Sequence, residues 1–382
     1  MPRIIAVTLL SALSLGWPGA AGAVEHVTLR RDGKQVQIAG RLILKAADGG
    51  LLVQTRDGEI WAVPPEEQVR HTRDNEPFEP LSAEELGRKL LAELPRGFEV
   101  HHTARYVIVH GTSREYAQWC GALLERLHGA FVNFWSRKGL AIEKPEFPLS
   151  AIVFGDRASY TRHAQAEVGE GARSIIGYYS LKTNRMTMYD LSEATVPGRG
   201  RGRGSAAGEI NRILSQPGAA WNVATIVHEA THQIAFNCGM HARFSACPRW
   251  ATEGIAMYFE TPDLSSAKGW RNIGAINGER LLKFRSAQDT RPAAWLEGLL
   301  ASDKSFQGDR DAADAYAEAW ALTYFLLRQY PKQYAAYLQG LAAKKPLIED
   351  DGPTRLGEFK RAFGNDLEQL GREVSRLMMK VR

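Results

Sequence analysis

Residues 224–234 read Ala224-Thr225-Ile226-Val227-His228-Glu229-Ala230-Thr231-His232-Gln233-Ile234. Val223, Val227, Ala230 and Ile234 recur at helical spacing with no Pro or Gly between them, so the stretch predicts one helix with a buried face. Residues four apart on a helix share a side, one turn up. His228 and His232 can therefore offer imidazole nitrogens to a single metal ion. Glu229 lies about 100° round from His228. That puts it beside such an ion, where a general base can take a proton from water.

A catalytic zinc takes three protein ligands and keeps one position open. Glu253 follows His232 by 21 residues, inside Pro248-Arg249-Trp250-Ala251-Thr252-Glu253-Gly254-Ile255-Ala256-Met257-Tyr258-Phe259-Glu260. Pro248 suits a helix start. A second, antiparallel helix would bring Glu253 to the ion as third ligand, with Glu260 as the competing candidate. Trp250 and Tyr258 read as packing residues. The extended H-E-x-x-H-x-x-G-x-x-H pattern fails, because Ala235 and Cys238 stand where it needs Gly and His. His241 reads as a surface loop histidine. Cys238 and Cys247 bracket the loop between the two helices. A disulfide between them is expected if the compartment is oxidising. Cys120 reads as a small core residue.

The chain has 382 residues, 44% of them hydrophobic, and a formal charge of +5. Apolar residues run along the whole length, which excludes global disorder. No segment reaches the ~18 uninterrupted apolar residues of a spanning helix. The mild positive charge names no partner. Arg3, the apolar run Ile4–Gly16 and the triplet Ala21-Gly22-Ala23 have the layout of a secretory signal peptide. Export to a periplasmic or extracellular location is therefore expected.

From 24 to 75, five short apolar runs, three of the four gaps between them holding an Asp-Gly, predict a small SH3-like β barrel. Residues 76–98 form a helical linker. Residues 99–262 mix strands and helices, including a Gly177-Tyr178-Tyr179 hairpin and the metal helices. Residues 263–382 are mainly helical, which makes the fold class α+β. Gly198-Arg199-Gly200-Arg201-Gly202-Arg203-Gly204 reads as a solvated loop. Without interleaved aromatics it does not favour nucleic acid as a partner.

The H-E-x-x-H motif followed by W-x-x-E-G-x-A-x-Y-F-E resembles the gluzincin superfamily of zinc metallopeptidases. The wider pattern, from roughly 99 to 380, is similar to a group of secreted gluzincin-like proteins classed as a domain of unknown function. The resemblance implies a thermolysin-like catalytic domain with Zn2+ on His228, His232 and Glu253 and Glu229 as general base. It also implies a peptide substrate extended along an edge strand, for which Met186–Tyr189 is the candidate. Tyr316 falls where aminopeptidase-like relatives place a tyrosine that stabilises the oxyanion. Two departures stand out. The G-x-M-E-N stretch that captures a free amine is missing. Met257 stands where some gluzincins carry a carboxylate that orients a ligand histidine. The function expected is peptide-bond hydrolysis with zinc. The alternative is an inert zinc-stabilised scaffold or a cell-envelope binding module.

Overall fold

Strands β1 (Ala23–Arg31) and β2 (Lys34–Lys45) form the first hairpin. Asp32 and Gly33 supply its two-residue turn, both with positive φ, which suits the right-handed twist of the strands. The computed structural model describes residues 23–194, 217–261, 270, 272–307 and 312–381. Residues 1–22 of the expected signal peptide and the Gly-Arg stretch lie outside the described residues.

Strands β3 (Leu51–Thr55), β4 (Ile60–Val63) and β5 (Gln68–Pro77) complete an antiparallel sheet in the order β4-β3-β2-β1-β5. Val27, Leu29, Ile38, Leu51, Val53 and Val63 form its core. The expected SH3-like barrel is not found: among the described residues the sheet is open. β4 and β5 are its two edges and do not pair. The Ile60 N–H instead donates to the Lys182 carbonyl at 2.8 Å, tying that edge to the rest of the chain. The runs around Val36 and Leu42 are one strand, not two. Gly40 permits this, since a Cβ there would meet the Gln54 carbonyl oxygen at 2.2 Å.

After α1 (Ala83–Glu93), opened by a Ser82/Glu85 capping box, comes a second, mixed sheet. Its strands are β6 (Glu99–His102), β7 (Tyr106–His110), β8 (Leu149–Phe154), β9 (Gly177–Tyr179) and β10 (Arg185–Tyr189), in the order β6-β7-β8-β10-β9. The inner pairs are parallel and the outer pairs antiparallel. Parallel neighbours need long crossovers, here α2 (Arg114–Arg137) and a segment that includes α3 (Arg157–Val168). Alternate β7 residues serve the two faces. Val107 and Val109 pack under α1 with Leu86 and Leu90, while Tyr106 and Ile108 join the main core under α2. Met186–Tyr189 is therefore not an edge. β10 lies between β8 and β9, and the open edge beside it is Gly177–Tyr179.

The rest is helical: α4 (Pro217–Asn237), α5 (Arg249–Phe259), α6 (Gly278–Ser286), α7 (Trp295–Ala301), α8 (Ala312–Gln329), α9 (Pro331–Ala342), α10 (Gly352–Phe363) and α11 (Leu367–Lys380). The fold is α+β, with β-sheets first and helices after. Its main core joins α2, α4, α5 and α8 through buried Leu123, Leu127, Phe131, Val227, Ile234, Phe259 and Leu322. Each such Leu or Phe contributes roughly 1.5–3 kcal/mol relative to exposure. Among the described residues no helix is long and apolar enough to cross a membrane.

Candidate metal centre

Helix α4 buries Val223, Val227, Ala230 and Ile234, the face its spacing predicted. Gln233 fixes it to the mixed sheet by donating to the carbonyls of Ser150 (2.9 Å) and Asn184 (3.2 Å). His228 and His232 stand one turn apart with their rings nearly perpendicular, at 82°. Their Nε2 atoms are 3.1 Å apart. Helix α5 delivers Glu253, whose Oε2 is 3.1 Å from Nε2 of His228 and 3.5 Å from Nε2 of His232. The three side chains form a group whose ligand atoms all lie within 4.8 Å of one another.

These spacings fit a cation. Tetrahedral bonds of about 2.0–2.1 Å place neighbouring ligand atoms roughly 3.3 Å apart. Two imidazoles and one carboxylate form a donor set suited to zinc and its first-row neighbours. The electrostatics agree. Burial alone would lift the Glu253 carboxyl, but the imidazoles of His232 and His228 outweigh it and hold it well below the usual carboxylate range. Burial alone would depress His228, yet Glu253 and Glu260 raise it to about 10.

Glu229 is placed differently. Its Oε2 accepts the Tyr179 N–H at 2.8 Å, so it lies against the open edge of the mixed sheet. Burial raises its pKa, opposed by the nearby imidazoles of His228 and His232.

Glu260 does not compete for the ion. Its Oε2 is 3.8 Å from Nδ1 of His228, the ring nitrogen turned away from Glu253. Asn277 donates to the same oxygen at 3.4 Å, and Arg280 lies 3.8 Å from Oε1. A carboxylate behind a ligand histidine fixes its orientation and basicity. Glu260 stands on that side of His228, whereas Met257 is fully buried in the core.

Arg249 escaped the sequence reading, although its position one turn before Glu253 was a visible signal. Its Nε is 3.4 Å from Oε1 of Glu253, and its Nη2 donates to the Tyr316 hydroxyl at 2.9 Å. Tyr316, on the second turn of α8, is thus joined to the metal group through Arg249. The role of the Tyr179 N–H was also missed, because no sequence pattern marks which backbone donor a sheet edge leaves open.

Trp250 packs on Tyr334 and Tyr337, and Tyr258 on Phe134, as their types suggested. His241 is not on the surface; it is 3% exposed and packs on Phe236. Burial pulls its pKa down to about 3. The expected disulfide is absent, since Cys238 and Cys247 are free thiols. Cys238 Sγ, just past the end of α4, donates to the Ala235 carbonyl of that helix, while Cys247 Sγ faces Nδ1 of His241 at 3.6 Å. Backbone bonds secure the loop instead, Glu143 N–H to the Cys238 carbonyl and Leu347 N–H to that of Phe244. Cys120 is buried in the core, as read.

Residues 222–348 match a family model described as "Protein of unknown function (DUF1570)". The span encloses His228, Glu229, His232, Arg249, Glu253, Glu260 and Tyr316. No curated protein matches the chain.

Proposed function

We propose that this domain is an exported, zinc-dependent hydrolase of the gluzincin metallopeptidase type, acting on peptide bonds. The observation that supports it most is the meeting of His228, His232 and Glu253 from two helices, with Glu229 beside them at the open edge of a sheet. His228, His232 and Glu253 would hold a divalent zinc, which would serve as a Lewis acid and lower the pKa of water.

The chain's own groups supply the rest. Half-buried and facing two imidazoles, Glu229 is suited to accept a proton from water and return it to the departing amine nitrogen. The Tyr179 N–H fixes the carboxylate's direction. An extended peptide can lie along Gly177–Tyr179, adding to the sheet as a further strand. The Tyr316 hydroxyl accepts a hydrogen bond from Arg249 and keeps its own proton to donate. We assign that proton to the oxygen of the carbonyl under attack, where a fixed donor lowers the barrier.

The test is Glu229→Gln in the full chain. Zinc content should stay unchanged, while peptide cleavage, read by mass spectrometry of a peptide library, should fall by about 10²–10⁴-fold. Cleavage by the variant at the unmodified rate would refute the assignment. Zinc binding without any cleavage by the unmodified protein would favour the inert scaffold.

A further inference from the structure

Arg249 has more donors than its structural contacts use. Its Nε faces Glu253 and its Nη2 donates to Tyr316, while Nη1 has no protein partner among the described residues. Its side chain is 38% exposed, against 12% for Glu253 and 13% for His228. It is the open polar group on the rim of an otherwise closed cluster.

The guanidinium is also held in place. It lies 5.6 Å from the ring centre of Phe306 and 5.9 Å from that of Tyr316. Those rings are perpendicular, with centroids 5.3 Å apart, and form an aromatic corner. Arg280 approaches the same Tyr316 ring at 5.7 Å, adding a second positive charge. Of the carboxylates beside it, Glu253 turns Oε2 to His228 and only Oε1 to Arg249, while Asp303 accepts the Arg249 backbone N–H and pairs with Arg355. A planar fork held by Glu253 and Tyr316 beside two aromatic rings, on a part-exposed side chain, is a receptor for a carboxylate. Ordering the arginine in advance removes much of the entropic cost of binding.

We infer that Arg249 reads a substrate carboxylate, so that this site selects peptides with an acidic group next to the bond to be cut. The carboxylate can belong to an Asp or Glu side chain or to the chain's C-terminus. This rests on the hydrolase reading, and it matches the lack of a sequence element for capturing a free amine.

The experiment uses the zinc-loaded full chain carrying Glu229→Gln, so that turnover does not consume the probes. Three probes are titrated calorimetrically: acetyl-alanyl-glutamate amide, acetyl-alanyl-alanine with a free C-terminus, and the neutral acetyl-alanyl-alanine amide. At least one acidic probe should bind about tenfold or more tightly than the neutral one. Which of the two does so identifies the source of the carboxylate. Adding Arg249→Gln should abolish the preference with zinc content unchanged, and Arg249→Lys should restore only part of it. Equal binding of all three probes would overturn the inference. So would a preference that survives Arg249→Gln, or zinc loss in that variant large enough to explain the change. If the hydrolase reading fails instead, the unmodified protein leaves peptides uncut while the acidic preference persists.

Discussion

His228 is held from both sides, by Glu253 at Nε2 and by Glu260 at Nδ1. Removing the charge behind it by Glu260→Gln should weaken zinc binding by about 10–100-fold, measured by competition with a chromogenic chelator. Metal uptake should also release a proton. Glu253 and Glu260 raise the pKa of His228, so a cation that enters at pH 7 displaces a proton from it. Calorimetry of zinc binding in buffers of different ionisation enthalpy reads the number released. No dependence on buffer would contradict the arrangement. The His228–His232 pair and Glu229 beside it were legible because helix geometry fixes what residues one and four apart can share, whereas Glu253 came from the resemblance of its motif. Glu260 and Arg249 were not assigned their roles, because the direction of a side chain at a helix end depends on what packs there.

Contact between elements decides how the second helix presents Glu253. Gly254 lets α5 press against α8, since a Cβ would meet Thr323 Oγ1 at 2.1 Å and the Ala319 carbonyl at 2.7 Å. Gly254→Ala should therefore cost about 1–3 kcal/mol or more through overpacking. For a chain of this size, that lowers the thermal midpoint by several degrees. Because Glu253 is adjacent, zinc affinity should fall as well. A variant with unchanged melting and zinc binding would show that the helices are not in such close contact. Apolar periodicity revealed α2 and α4. It could not reveal β5, whose residues are almost all polar and exposed and whose place depends on its ladder with β1 and on the Glu25–His71 pair at 2.7 Å. Nor could it order the strands: β10 has the residues of a central strand, and only the crossover through α3 shows that β9 lies outside it.

At the scale of the whole molecule, the open N-terminal sheet is joined to the mixed sheet by ionic contacts. Asp57, its side chain only 1% exposed, lies 3.1 Å from Arg185 of β10 and also receives the Lys89 ammonium from α1. Burial alone would lift the Asp57 carboxyl, but Lys89, Thr55 and Arg185 outweigh it and lower its pKa below 3.8. A carboxyl lowered on folding stabilises the fold above its unfolded value, and that stabilisation is lost as pH falls through the folded one. Asp57→Asn should destabilise the protein by roughly 1–3 kcal/mol at pH 7, since Arg185 keeps its pair with Glu93 but both it and Lys89 lose the buried Asp57 charge. In urea unfolding the difference from the unmodified chain should shrink below about pH 3.8. A pH-independent difference would rule out this pair as the tie. The turns of the first sheet were legible from Asp-Gly pairs. Its failure to close was not, because the contact that occupies β4 comes from Lys182, far along the chain.

Metal analysis of the purified chain, alone and as His228→Ala, His232→Ala and Glu253→Ala after equilibration with zinc and removal of excess, tests the central claim most directly. About one zinc per chain should remain bound to the unmodified protein, with each substitution lowering retention sharply while the fold persists. A chain that retains no zinc, or retains it equally without these side chains, would contradict the account.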